Sequence, residues 1–105
     1  MNYTVTNIPL KKLHTYNTSG RKCELHKFTD GTEFMMYTIM GHKHTTQFVF
    51  DSDDFDIIDS NLWKRYGDNI LCRRSFVSTF IRNKYSSNNV YVAFKSVKNK
   101  DYRKI

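Results

Sequence analysis

Short runs of hydrophobic and β-branched residues, separated by turn residues, mark the first half of the chain. The runs at 22–28 (KCELHKF), 32–40 (TEFMMYTIM) and 45–51 (TTQFVFD) have the length and composition of strands. The turn between the first two is Thr29-Asp30-Gly31, since glycine readily adopts a positive φ. The pattern predicts an antiparallel meander whose nearly apolar second strand lies centrally in a sheet.

The period changes to that of a helix after the third strand. Phe55, Ile58 and Leu62 are spaced i, i+3 and i+7, which places them on one helical face. The spacing therefore predicts a short helix at about 52–63.

The second half again favours strands, at 70–76, 77–85 and 90–96, with a turn at 86–89 between the last two. The predicted fold class is α+β: an antiparallel sheet of five to seven strands with one short helix. At 105 residues the chain is expected to form a single domain over 1–105, with 97–105 a basic, frayed tail.

Charge is distributed unevenly along the chain, which carries 17 Lys and Arg against 10 Asp and Glu. Half of the acids lie between Asp51 and Asp59, where there is no basic residue. Residues 60–105 carry eleven Lys and Arg against two acids. Such asymmetry indicates an anionic partner for the C-terminal half, by default nucleic acid. The alternative is a basic protein that its charge keeps soluble.

The aspartates do not have the spacing of a calcium loop. Counting from Asp51, the fifth, sixth and twelfth positions are Phe55, Asp56 and Leu62, where the loop needs an acid, a glycine and a glutamate. A catalytic cluster is also disfavoured. On a helix only Asp56 and Asp59 share a face, and that face is solvated rather than convergent.

Two interpretations of the aspartates remain. Ser52 or Asp51 can cap the predicted helix, whose dipole favours negative charge in the first turn. The acidic segment also predicts a partner-binding surface formed by Asp53, Asp54 and Asp56.

The histidines and cysteines predict neither a metal site nor a catalytic one. His42 and His44 are spaced i, i+2, but no other Cys or His stands at a ligand-like spacing, so a polar turn is favoured over zinc. Cys23 and Cys72 lie far apart, outside any Cys-x-x-Cys pair, and are expected to be buried free thiols rather than a disulfide. No cofactor is predicted.

Basic residues interleave with aromatic ones in the C-terminal half. Lys and Arg neutralise phosphates, while aromatic and guanidinium planes stack on bases. The predicted nucleic-acid contacts are Lys64, Arg65, Arg73, Arg74, Arg82 and Lys84. The alternative is a polar sheet face whose aromatic residues belong to the core. Trp63 raises the same choice, and we expect it to anchor the helix to the sheet rather than to form an exposed stacking platform.

The segment from Phe48 to Arg74 resembles the one that precedes the nuclease motif in phage-type HNH homing endonucleases. There a strand leads into an acidic helix with a DxxDxxxL pattern, then a Trp, then a turn into a further strand. The matching positions, within about a quarter of the chain, are Asp53, Asp54, Asp56, Ile57, Ile58, Trp63 and the turn at 66–69. The resemblance implies an accessory module beside the DNA without the nuclease, because an HNH centre needs histidines and residues 75–105 contain none.

The leading hypothesis is a small phage-type protein, not an enzyme, that contacts DNA or RNA through its C-terminal half. The alternative is a phage or mobile-element inhibitor, of the anti-CRISPR or anti-restriction kind, that binds and blocks a host nucleic-acid enzyme. A metal-dependent nuclease is the third possibility. The chain shows no apolar signal region and no run of about 20 apolar residues, which predicts a protein of the host cytoplasm without a membrane partner.

Overall fold

Strands from both ends of the chain meet in one six-stranded sheet. The computed structural model describes residues 3–10, 20–40, 44–67, 69–86 and 92–105. In chain order its elements are β1 (Tyr3–Ile8), β2 (Arg21–Phe28), β3 (Glu33–Met40), β4 (Thr45–Phe50), a 3-10 helix (Ser52–Asp54), α1 (Phe55–Asp59), β5 (Lys64–Tyr66), β6 (Asn69–Cys72), β7 (Ser75–Phe76), α2 (Val77–Tyr85), β8 (Phe94–Ser96), a second 3-10 helix (Val97–Asn99) and β9 (Asp101–Lys104).

The α+β class and a sheet of five to seven strands are confirmed. The large sheet has the order β1-β2-β3-β4-β9-β8, and all its neighbouring strands are antiparallel except β4 and β9. The predicted β2–β3 turn is present: Gly31 has a φ of 94°, and the backbone N–H of Thr32 donates to Asp30 Oδ1 at 2.8 Å. Strand β1, which no prediction covered, pairs with β2 along its whole length.

The expectation of a frayed tail at 97–105 is wrong. Val49 and Phe50 of β4 pair in parallel with Asp101 and Tyr102 of β9, and β8 pairs with β9 on its other side. Tyr102 is buried, and the backbone N–H of Lys104 donates to Asp51 Oδ2 at 2.8 Å. These long-range contacts order a segment whose own composition is that of a solvated tail.

The predicted helix at 52–63 is shorter than expected, since α1 ends at Asp59. The last carbonyls of α1 accept hydrogen bonds from side chains that follow the helix. The donors Ser60 Oγ, Asn61 Nδ2 and Trp63 Nε1 reach the carbonyls of Asp56, Ile57 and Ile58 at 2.7, 2.7 and 2.9 Å. Because these side chains satisfy the free end of the helix, the chain can turn away at once.

The predicted caps are wrong as well, because tertiary partners occupy both side chains. Asp51 makes no side-chain capping bond, and its carboxylate accepts from Lys104 of β9 instead. The Ser52 hydroxyl donates to Glu33 Oε1 at 2.9 Å.

Residues 70–85 differ most from the prediction. The expected strand at 70–76 is a hairpin of β6 and β7, turned by Arg73 and Arg74. The expected strand at 77–85 is the helix α2. Val77 and Ile81, one helical turn apart, are fully buried, so helical spacing rather than alternation brings this run to the core. Part of the predicted turn at 86–89, and residues 90 and 91 of the predicted strand at 90–96, lie outside the described residues.

Trp63 lies in the core, as predicted. Its side chain is fully buried and packs edge-on against Phe80 and Phe48, with ring centroids 5.1 and 6.0 Å apart. The core cluster continues through Phe50 of the large sheet and Ile70 of the small one. Trp63 thus joins α1, α2 and the large sheet, and the three-stranded sheet β5-β6-β7 begins at the next residue. The prediction that both cysteines are buried free thiols is also confirmed.

Candidate nucleic-acid interface

The small sheet β5-β6-β7 has one buried and one exposed face. Its register pairs Lys64 with Leu71, Tyr66 with Asn69, and Leu71 with Phe76. Because paired residues share a face and successive residues alternate, one face carries five side chains. These five, called the outer face below, are Lys64, Tyr66, Asn69, Leu71 and Phe76. All of them are exposed except Leu71, which is half-buried.

Four of the six predicted nucleic-acid contacts lie on or beside this sheet. Lys64 belongs to the outer face, Arg65 follows it in β5, and Arg73 and Arg74 form the turn between β6 and β7. All four are exposed. None of them forms an ion pair within the described ranges, so their positive charge is available to an external anion.

The turn that carries two of these cations has an unfavourable backbone conformation. Arg73 and Arg74 have φ values of 51° and 68°, the left-handed region that both central residues of a type I′ hairpin turn occupy. Asn and Gly are the usual residues there, because a larger L-residue pays a steric cost of roughly 1–2 kcal/mol. The tight turn places two guanidinium-bearing side chains next to each other at one end of the outer face.

A groove of about 880 Å³ runs beside the outer face. It is lined by Ser60, Asn61, Leu62, Lys64, Tyr66, Leu71, Cys72, Arg73 and Arg74. Three predicted cations and one exposed aromatic ring therefore meet around a single concave surface. The hydrogen bonds of Ser60 and Asn61 to the end of α1 hold the opposite wall in place.

The other two predicted contacts, Arg82 and Lys84, lie on α2 and do not line this groove. Arg82 Nε donates to the carbonyl of Val92 at 3.4 Å, and its guanidinium lies 5.0 Å from the ring centroid of Phe94. Lys84 Nζ donates to Asp56 Oδ1 at 2.8 Å. Both side chains therefore have partners within the protein, although Arg82 is exposed, and this distinguishes them from the four cations on or beside the small sheet.

The acidic segment is used largely within the fold. Asp54 is fully buried; its Oδ1 accepts from the Tyr85 hydroxyl at 2.6 Å and lies 3.4 Å from Lys84 Nζ. Its Oδ2 accepts from Lys104 Nζ, which also lies 2.9 Å from Asp51 Oδ2. Asp54 is therefore not available to a partner, and it joins the end of the 3-10 helix that precedes α1 to α2 and β9.

The charges around Asp54 reinforce one another. Burial would lower the pKa of Lys104, but its hydrogen bonds to Asp54 and Asp51 outweigh that effect and raise the pKa. The hydrogen bond from Lys84 lowers the pKa of Asp56. Asp53 and Asp56 are exposed, and their part in partner binding stays a prediction.

The described residues hold no group of three or more His, Cys, Asp or Glu side chains placed to bind a metal ion. His42, part of the predicted polar turn, lies outside the described ranges, and His44 is exposed just before β4. His26 is 8% exposed, stacks on Phe34 with ring centroids 4.9 Å apart, and has its Nε2 3.6 Å from Glu24 Oε1.

No family model, curated protein or solved structure significantly matches this chain. The resemblance to the accessory module of HNH endonucleases stays a prediction. Among the helices of the described ranges, none has the length and apolar character to cross a bilayer.

Tyr66 and Phe76, the two exposed aromatic residues of the outer face, are not among the predicted contacts. Tyr66 stands in the predicted turn at 66–69, and Phe76 ends the predicted strand at 70–76. The available signal was the pair Arg73-Arg74 between two short β-compatible runs, which would have divided the segment into a hairpin. Arg-Arg is not a usual turn sequence, so residue type alone favours one continuous strand here.

Proposed function

We propose that this chain is a non-enzymatic binding protein that holds nucleic acid against its small sheet. The observation that carries the proposal is the convergence of Lys64, Arg73 and Arg74 around a groove that also presents Tyr66. Arg65 lies next to Lys64 in β5, outside the lining of the groove, and all four cations are exposed and without ion pairs in the described ranges. Lysine and arginine side chains that bind phosphates release condensed counterions, and this release drives binding. The resemblance of residues 48–74 to a module beside DNA favours the same partner.

The test is a salt titration of oligonucleotide binding by fluorescence anisotropy. If all four cations contact phosphates, replacing them by Gln should flatten the plot of log affinity against log salt by about 3, since each contact with a single strand contributes about 0.7. Affinity at low salt should fall steeply in the same variant.

A matched control removes the same charge elsewhere. Replacing Lys22, Lys27, Lys95 and Lys98 by Gln changes the net charge equally, and all four are exposed on or near the large sheet. In this control the slope of log affinity against log salt should stay close to that of the unaltered protein. Equal losses in the two variants would mean that bulk charge alone attracts the nucleic acid, and undetectable binding of the unaltered protein at low salt would refute the proposal.

The non-enzymatic part needs its own assay. Plasmid and RNA incubated with the protein and Mg²⁺ or Mn²⁺ should remain intact. Turnover that is abolished by changing His42 or His44 would overturn this part and support the nuclease alternative.

A second candidate is an inhibitor that binds a host nucleic-acid enzyme. The exposed Tyr66 and Phe76 beside Arg73 and Arg74 favour it, because aromatic residues and Arg are enriched at the centres of protein interfaces. A pull-down with and without nuclease treatment separates the two. A partner that survives the treatment and is lost in the Tyr66→Ala variant would favour inhibition.

A further inference from the structure

The outer face presents two aromatic rings that the core does not use. Tyr66 is 58% exposed and Phe76 is 46% exposed. The opposite side of the same sheet supplies the packing, since Ile70 and Cys72 are buried there. Aromatic residues kept in water on a sheet face indicate a contact with something outside the protein.

Tyr66 and Phe76 together form an aromatic surface, called the platform below. Tyr66 and Phe76 lie on the outer strands β5 and β7, on either side of β6, with Leu71 on the same face between them. Ordinary strand spacing and rise place their Cα atoms roughly 12 Å apart. Successive nucleotides stacked at about 3.4 Å cover that distance in three or four steps.

Cations surround the platform. Lys64 lies on the same face as Tyr66, and Arg73 and Arg74 stand at the end of β6, next to Phe76 along the chain. A ligand that satisfies both groups must offer flat apolar surfaces at short intervals together with negative charges. Single-stranded nucleic acid has this chemistry.

Building on the proposed function, we propose that the outer face binds single-stranded nucleic acid by stacking bases on Tyr66 and Phe76 while Lys64, Arg73 and Arg74 contact the phosphates. A duplex does not suit the rings, because its bases are already stacked on one another and offer only their edges. A strand with unpaired bases can lay its bases on the sheet.

The experiment compares three oligonucleotides of equal length: a single strand, the corresponding duplex, and an abasic strand that keeps the phosphates without the bases. The single strand should bind tightest. Tyr66→Ala and Phe76→Ala should each weaken its binding by roughly 5- to 150-fold, the range for loss of one stacked base, and leave binding of the abasic strand unchanged. Tyr66→Phe keeps a ring and should retain affinity, whereas Tyr66→Leu keeps apolar area without a ring and should lose it.

The outcomes separate this proposal from the one on which it rests. Equal loss for the base-bearing and abasic strands, or tighter binding of the duplex, would overturn stacking and leave binding at the small sheet intact. Undetectable binding of all three oligonucleotides would refute both. Both rings are exposed, so we expect the variants to fold, and thermal unfolding of each variant checks this expectation.

Discussion

Replacing Asp54 by Asn removes the only fully buried charge of the described core and should destabilise the fold severely. The carboxylate accepts from the Tyr85 hydroxyl and from Lys104 Nζ, and it lies 3.4 Å from Lys84 Nζ. An asparagine keeps the shape but replaces one accepting oxygen by an NH₂ donor. On the Oδ2 side that donor would face the ammonium of Lys104, which cannot accept. On the Oδ1 side the Tyr85 hydroxyl can turn to accept, but Lys84 Nζ then faces the NH₂ group, so one ammonium loses its acceptor in either orientation.

The loss in free energy of unfolding depends on how deeply Asp54 and its lysine partners are buried. Removing one partner of a buried ion pair typically costs about 3–5 kcal/mol, because a desolvated charge is left behind. Here the side chains of Lys84 and Lys104 are 24% and 23% exposed, so water can partly solvate them. We therefore expect a loss at the lower end, about 3 kcal/mol. A domain of this length has a stability of roughly 5–15 kcal/mol, so the variant should fold but be marginal.

Urea unfolding followed by tryptophan fluorescence measures the difference, since Trp63 is the only tryptophan and is buried. A loss of about 3 kcal/mol corresponds to a fall in Tm of roughly 12–24 °C. The matched control is Asp53→Asn, the same chemical change at an exposed neighbour, which should stay within about 0.5 kcal/mol.

Two results would refute this reasoning. One is an Asp54→Asn protein within about 1 kcal/mol of the unaltered chain, which would mean that the buried network contributes little net free energy. The other is a double variant, Asp54→Asn with Lys104→Met, that loses as much as the two single changes combined. If the two groups interact, the second change should cost less once the first is made.

Three further predictions concern the core and the titratable groups. Trp63→Ala should cost about 3–5 kcal/mol by urea unfolding, and lost nucleic-acid binding with unchanged stability would contradict its core role. Hydrogen bonds from Arg103 and Lys84 lower the pKa of Asp101 and Asp56, so the free energy of unfolding should be highest above pH about 4 and should fall as the pH drops below that value. Asp101→Asn should reduce this loss of stability at acid pH, measured by urea unfolding at several pH values. An unchanged pH dependence would contradict the pairing. Burial raises the pKa of the Cys23 thiol to about 12, so iodoacetamide at pH about 8 should label it only after unfolding. Peptide mass mapping locates the label, and labelling of Cys23 in the native protein would contradict its burial.

The first half of the fold could be predicted because its signals are local. Asp30-Gly31 specifies the β2–β3 turn, and the nearly apolar run of β3 places that strand between two others. Strand β9 could not be predicted in the same way. Its segment, with Lys104 among polar neighbours, is ordered by pairing with β4 about fifty residues earlier and by the carboxylate of Asp51.

The run at 77–85 shows why apolar spacing alone can mislead. Its residues are β-compatible, and a strand would have placed Ile81 on the same face as Asn83 and Tyr85. A helix instead stacks Val77 and Ile81 toward Trp63 and the core, and it leaves Arg82 and Asn83 exposed. The helix has no Gly or Pro, and its first residue is not preceded by a side-chain cap that would have marked its start. The run adopts a helix rather than a strand because the helix buries Val77 and Ile81 on one face against the rest of the protein, and this tertiary effect is not visible in the local sequence.

The exposed position of Phe76 in the candidate site could not be predicted for a similar reason. In a continuous strand at 70–76, Phe76 falls on the same side as Ile70, which is buried. A two-residue turn at Arg73-Arg74 pairs Phe76 with Leu71 instead and transfers it to the outer face. Lys64-Arg65 and Arg73-Arg74, the four basic residues near this sheet, could be predicted because each pair is adjacent in the sequence. The ring that completes the platform depended on a single turn.

The acidic segment pairs with two lysines that lie outside the small sheet. Asp54 and its acidic neighbours lie where Lys84 of α2 and Lys104 of β9 would otherwise present unpaired charge, and each of these lysines is paired in the structure. An approaching anion gains little from a lysine that already has a carboxylate 2.8–2.9 Å away, because it must displace that partner first. Arg73 and Arg74 have no such partner within the described ranges, and their turn holds them at the rim of a groove. Asp51, Asp54 and Asp56 therefore stabilise the fold and also remove Lys84 and Lys104 from the basic surface offered to the proposed nucleic-acid partner.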